Sequence, residues 1–372
     1  MDNFGGFSKL TILFQRDKVH HDNGLFKLHH QVNFTVLLVG VLFIFGENYL
    51  NGKAIVCKSS TRLPDLYANQ YCWLHGTGHL HPDLATDITG ACAMEVSQKD
   101  DRHTHYYLWL PFVLGLCMGL VKTPRIIWKN FCERGVMESL VGYDKLDAEK
   151  ISARFLKVRK RSGLYLKSFA FCEILNIAML LTCFQILDSL LNGYFWEYGM
   201  AVYHFYSGGR ARNPMCNLFP TEVACNICTG SIGGGCNDRQ STICILSNNI
   251  FNQYFFLILW FWWVILLSFS LLGLVYRFAH ISIPSFSKFV LQSVYLCPVG
   301  LEGRVHMLPL TCAECFLLCR LALNLKGSTM EQVLKELKAS QTTSMDMKIN
   351  VNGKEKHSSS VEILPMEKNM TT

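Results

Sequence analysis

Residues 254–275 are 22 amino acids without a single charge, and Leu259-Trp260-Phe261-Trp262-Trp263 lies within them. Spanning the hydrocarbon of a bilayer takes roughly 20 mostly apolar residues, so this run is long enough to cross. Three further runs approach that length. Residues 32–46 are closed by Glu47. Residues 106–121 end at Lys122 and are prolonged by Ile126-Ile127-Trp128, with Lys122 and Arg125 able to snorkel to the interface. Residues 168–191 are interrupted by Glu173 and Asp188. As buried helices of a soluble protein, four such runs would need a very large core to cover them. The sequence therefore predicts an all-α membrane protein with transmembrane helices at 32–49, 106–127, 168–191 and 253–276. Composition agrees: only 17% of residues are charged, against about 25% in ordinary soluble domains. The first 31 residues are mixed and polar, and no small-residue cleavage site follows the first apolar run, so that run reads as a retained anchor.

Lys and Arg orient the chain. Residues 1–31 hold four of them, 50–105 five, 122–167 twelve, 192–252 three and 277–372 eleven. With both termini and the middle loop in the cytoplasm, 27 lie inside and 8 outside, as the positive-inside rule requires. This predicts extracellular loops at 50–105 and 192–252, a cytoplasmic loop at 128–167 and a helical cytoplasmic region at 277–338. The same distribution accounts for the net charge of +7 without nucleic acid. The basic run Lys157-Val158-Arg159-Lys160-Arg161 reads as a topology signal that also suits anionic lipid head groups.

Eight of the 16 cysteines fall in the two outer loops: Cys57, Cys72, Cys92, Cys216, Cys225, Cys228, Cys236 and Cys244. An even number in an oxidising compartment predicts disulfide staples, although spacing alone leaves their connectivity open. Cys225-x-x-Cys228 with Cys236 and Cys244 also has zinc-site spacing, a reading the oxidising compartment disfavours. Cys117, Cys172 and Cys183 read as small packing residues, and Cys312, Cys315 and Cys319 share one helix face. His75, His79, His81, His103 and His105 cluster in the first loop and read as polar surface, with metal binding or pH sensing as the alternative. The glycine-rich stretch 230–235 lies between cysteines and reads as a flexible turn, not a phosphate cradle. No catalytic set, cofactor motif or metal site emerges, so an enzyme is not expected.

Ionisable side chains at membrane depth are costly. Glu173 and Asp188 are 15 residues apart, roughly 22 Å along a helix, which puts one near each membrane face. They sit either in the head-group zones or in a polar lining or contact between helices, with Asn176 or Gln185 as the candidate partner. Pro111, early in the second span, lacks an N–H and predicts a kink. Phe4, Phe7, Leu10, Leu13 and Phe14 give the N-terminal segment a loosely amphipathic pattern, suited to the membrane surface or a pore mouth. Residues 329–338 predict a short amphipathic helix, and residues 339–372, rich in Ser, Thr, Lys and Met, predict a disordered tail.

A set of motifs in a fixed order gives the chain a family resemblance up to about Leu337. Tyr106-Tyr107-Leu108-Trp109-Leu110 resembles the Tyr-Tyr-Gln-Trp-Val signature of innexins, the invertebrate gap-junction family. Pro124-Arg125-Ile126-Ile127-Trp128-Lys129 resembles the motif that closes the second span in that family. Tyr71-Cys72-Trp73 resembles its first loop, and Cys172-Glu173-x-Leu175-Asn176, Asp188 and Gly193 its third span. Asn213-Pro214-Met215, Phe219-Pro220 and Cys225 resemble its second loop. Cys244-Ile245-Leu246, Asn249-Ile250, Asn252 and Leu259-Trp260-Phe261-Trp262 resemble the entry to its fourth span. The chain departs from the pattern at Leu108 and Leu110 of the signature, at Gln253-Tyr254 where Glu-Lys is usual, and in four additional loop cysteines: Cys92, Cys216, Cys228 and Cys236.

The resemblance implies bridges Cys57–Cys244 and Cys72–Cys225, with the additional four cysteines pairing among themselves. It implies a plasma-membrane gap-junction protein: a homo- or hetero-oligomeric ring of eight innexin subunits forming a hemichannel that docks onto one of the adjacent cell. Such a channel passes ions and small metabolites. The N-terminal segment (Phe4, Phe7) and the first span (Glu47, Asn48 at its outer end) would form the constriction. An undocked hemichannel, as in the related pannexins, and a non-channel four-span adhesion protein are the alternatives. No Asn-x-Ser/Thr glycosylation site occurs in either outer loop to obstruct docking.

Overall fold

The computed structural model describes residues 19–20, 22–51, 54–58, 64–78, 105–142, 147–208, 213–229, 238–296 and 308–340. Four helices are long and apolar enough to cross a membrane: Gly24–Leu50, Tyr106–Glu133, Ser162–Leu190 and Asn249–Ser282. Each contains one of the four apolar runs. Each also continues into polar sequence, because backbone hydrogen bonding does not stop where the hydrocarbon does. At 27 to 34 residues they are about 40 to 50 Å long, more than the apolar core of a bilayer demands.

The chain divides into two compact units. One comprises Asp22–Trp128 and Phe171–Val275. Its core is aliphatic and aromatic, with Leu37, Leu110, Leu114, Leu187, Leu259 and Trp263 fully buried between helices. Outward, the same helices expose Leu42, Leu116, Ile174, Ile258, Ile265, Phe269 and Leu272. So much apolar surface fits lipid or neighbouring subunits, not water. Gly40 lets the first long helix approach the fourth closely: a Cβ there would lie 2.2 Å from the Phe255 ring.

This unit is not purely helical. Strands β1 (Val56–Lys58), β2 (Glu222–Thr229) and β3 (Asp238–Ile245) form an antiparallel sheet in the order β1-β3-β2. The loops thus add a small sheet to a mostly helical fold. Cys57 pairs directly with Cys244, and Val223, Cys225 and Ile227 alternate inward along β2. The helix Asp65–His75 packs with the sheet over Ala68 and Cys72.

The other unit comprises Met1–His21, Lys129–Ala170 and Tyr276–Thr372. Its described helices are Val136–Val141, Ala148–Arg159, Pro284–Val290, Cys312–Ala322 and residues 327–340. Thr311 and Glu314 form a reciprocal cap at the start of Cys312–Ala322. Glu314 also pairs with Arg159. The buried guanidinium groups of Arg277 and Arg320 lie 4.6 to 5.0 Å from the Phe169 and Phe316 rings. Cys315 and Cys319 are buried in the same helix, and burial pushes the Cys315 thiol up to about 11, so it stays protonated at neutral pH. The tail from residue 341 lies outside the described residues.

The Gly40 contact gives a direct test. Gly40→Leu forces the Phe255 ring out of its place and should cost about 1–3 kcal/mol. The expected result is a lower melting temperature of the detergent-solubilised protein; an unchanged midpoint would show that these helices do not pack there.

Candidate functional site: a stapled module on the helical body

The described loop segments converge on one small module. Cys57 is bonded to Cys244 (S–S 2.02 Å) and Cys72 to Cys225 (1.95 Å), joining residues 187 and 153 positions apart. These are the pairs that the resemblance implied. The first holds β1 to β3, and the second holds the helix Asp65–His75 to β2. Cys216 and Cys228 are disulfide-bonded as well; Cys92 and Cys236 lie outside the described residues. With Cys225, Cys228 and Cys244 all in disulfides, no thiolates remain for a zinc site among them, which removes that reading. Hydrogen bonds complete the module: Cys57 N–H donates to Asn69 Oδ1 (2.6 Å) and the Thr242 hydroxyl to Lys58 O (2.8 Å). His75 stacks on Tyr71 at 4.2 Å and belongs to this packing, whereas His79, His81 and His103 lie outside the described residues.

The module is tied to the helices by the signature residues. Tyr107 donates its hydroxyl to Cys72 O (3.1 Å), and Asn249 donates to Tyr106 Oη (2.7 Å) and to Pro220 O (2.5 Å). Asn252 donates to Asn249 Oδ1, and Gln253 to Phe219 O. The Tyr198 hydroxyl donates to Gln253 O (2.9 Å), and burial raises that phenol's pKa, keeping it a donor. Trp109, the third signature residue, is exposed and joins none of this network.

Pro111 explains one bond that sequence reading missed. It cannot donate to the carbonyl four residues back, that of Tyr107. Asn48 donates to that carbonyl instead (3.1 Å) and accepts from Asn248 Nδ2 (3.0 Å); Tyr49 donates to Leu108 O (2.7 Å). Helix runs on both sides of Pro111. Asn48 is therefore a buried pin within the subunit. Glu47 remains half-buried and accepts from Asn51; Phe4 and Phe7 lie outside the described residues.

The intramembrane polar residues resolve as contacts. Glu173 is buried and accepts from Asn23 Nδ2 (2.8 Å), while Asn23 Oδ1 caps the first long helix at Phe26 N. Asn176 is buried beside Glu173 and His29 along one small cavity. Asp188 Oδ1 accepts from the N–H groups of Phe195 (2.9 Å) and Trp196 (3.1 Å), fixing the turn after the third long helix. Asn33 accepts from the indoles of Trp263 (2.9 Å) and Trp262 (3.2 Å), a role that no motif announced.

This geometry can be set beside known proteins. The Innexin family model matches residues 22–341. The chain belongs to the innexin family. It is similar to innexin inx3 of Drosophila melanogaster, at 25% identity over 367 residues covering 93% of this chain and 92% of that one. It is also similar to innexin inx2 of the same fly (27%, 90% and 95% covered) and to innexin inx2 of Schistocerca americana (28%, 78% and 85%). This innexin is thus a multi-pass membrane gap-junction channel subunit that assembles with other innexin subunits, and not an enzyme.

Removing one staple tests the module. Cys72→Ser should cost about 2–5 kcal/mol of module stability, the usual loss for a disulfide closing a long loop. Faster proteolysis within residues 50–78 and 213–246 on intact cells is the expected readout; wild-type protease resistance would mean that the bridge adds no rigidity.

Proposed function

We propose that this innexin forms a ring of eight subunits around a wide aqueous pore, and that two such hemichannels on adjacent cells dock through their stapled modules. Ions and small metabolites then pass between the two cytoplasms. Four helices per subunit are too few to enclose a wide pore, and a closed ring of identical subunits is the expected solution. The observation that carries docking is the pair of disulfides, Cys57–Cys244 and Cys72–Cys225. They pre-organise a face that would otherwise lose conformational entropy on meeting its partner. Both termini face the cytoplasm on the strength of the 27-to-8 division of Lys and Arg.

The pore reading rests on the N-terminal segment and the first long helix, with Glu47 toward its outer end. Charge is nearly balanced in the outer loops: five basic and six acidic residues in 50–105, three and three in 192–252. Strong charge rings are therefore not expected, and neither is strong ion selectivity.

Paired expressing cells provide the test. Conductance and dye transfer between the two cells are expected, with near-equal permeability to sodium and chloride. Current in single cells with none between pairs would assign a lone hemichannel, and neither current would remove the channel reading. A steep preference for one sign of ion would overturn the charge argument. For the pore, thiol reagents should reduce current through Glu47→Cys channels; block at Ile265→Cys with none at Glu47→Cys would move the pore to the fourth helix.

A further inference from the structure

The segment that follows the third long helix lies within 192–252, the stretch assigned to the second extracellular loop. Its surroundings differ from those of the stapled module. Tyr194 is 60% exposed, Trp196 40%, Met200 47%, Tyr203 60% and Tyr206 69%, so a short stretch shows water or lipid five large side chains. Four of them are Tyr or Trp, the residues that concentrate at membrane–water interfaces.

Contacts with the fourth long helix set its depth. The uncharged run 254–275 is about 33 Å long, matching the hydrocarbon thickness. Tyr198 bonds to the carbonyl of Gln253, at the outer edge of that run. Trp260, about 10 Å further along the helix, donates its indole N–H to Trp196 O at 3.0 Å. The ring of Trp260 also fills the place of a Gly199 side chain, where a Cβ would lie 2.1 Å from it. Helical side chains lean toward the helix N-terminus, the outer end here, so the Trp260 ring and residues 196–199 beside it stand at the outer edge of the apolar run, where acyl chains give way to head groups.

The backbone makes the same point independently. Irregular chain is tolerated at membrane depth only when its polar groups find partners inside the protein. Here Asp188 accepts from the N–H groups of Phe195 and Trp196, Leu191 O from Tyr194, Phe195 O from Tyr198, and Trp260 donates to Trp196 O. Glu197 and His204 are also exposed. Those two polar groups suit a head-group layer and exclude the acyl layer.

We propose that residues 194–206, with the helix Tyr198–Tyr206, lie in the head-group layer of the outer leaflet and form a lipid-facing anchor distinct from the docking module. The partner is a phospholipid interface, bound through Tyr194, Trp196, Tyr203 and Tyr206. The second loop is then held at both ends of its first section: by Asp188 from below and by lipid from the side.

The test uses the full-length channel in bilayers containing phospholipids with a photoactivatable diazirine, placed either in the head group or at the acyl terminus. Labelled peptides are mapped by mass spectrometry. The head-group probe should label 194–206 several-fold more than the acyl-terminal probe does, while the acyl-terminal probe labels the fourth helix around Ile265 and Phe269. Labelling around Ile265 with none at 194–206 from either probe would overturn the proposal. So would cross-links from 194–206 to a second subunit in place of lipid adducts.

Discussion

Hydrocarbon offers no water to a stranded polar group, and this one constraint accounts for most of the specific bonds in the helical body. Pro111 removes a donor from the second long helix, and Asn48 on the first supplies one to the freed Tyr107 carbonyl. Asn33 takes two indole N–H groups from the fourth helix. Glu173 receives the amide that also caps the first helix through Asn23. Each is a polar group that apolar surroundings make costly unless paired, and each pair joins different helices. Apolar packing alone would let these helices slide on one another, since lipid tails are as apolar as their side chains. The paired polar groups fix the register.

The same logic governs the boundary between the helices and the stapled module. Tyr106, Tyr107, Asn249, Asn252 and Gln253 sit where long helices leave the apolar region and loops begin. Their bonds run to loop carbonyls at Cys72, Pro220 and Phe219. The module is thereby fastened both covalently, through its own staples, and by hydrogen bonds to helix ends. A helix shift at this level would have to break several buried bonds together, so movement of the helices and movement of the module are coupled.

The long helices were legible because apolar length is a strong, local signal. The disulfide partners were legible only through the resemblance, since spacing leaves connectivity open. The sheet is harder to read: Val223, Cys225 and Ile227 alternate along β2, but the inward positions mix a cysteine with aliphatics over only a few residues, so the period-two signal is weak. The bonds of Asn48 are illegible for a different reason. Its partners lie at Tyr107 and Asn248, 59 and 200 residues away, and no local pattern reports a carbonyl freed by a distant proline. Asp188 and Glu173 stand out on cost alone, and which groups bond to them depends on tertiary contacts.

The departures from the family pattern fall both in the long helices, at Leu108, Leu110 and Gln253-Tyr254, and in the loops, at the additional cysteines. Tyr106, Tyr107, Asp188, Asn249 and Asn252 hold helix ends and loop carbonyls and match the family's motifs, whereas Gln253 bonds to Phe219 O from a position that departs from them. The four additional cysteines all lie in the loops. Two of them, Cys216 in the short helix Pro214–Leu218 and Cys228 near the end of β2, are in disulfides beyond the pair that ties the sheet together. A crosslink there constrains loop conformation without altering any bond that holds the helices in register. Interfaces gain selectivity by changing which shapes and groups are presented, and rigid loops can be changed in this way at little cost to the scaffold beneath.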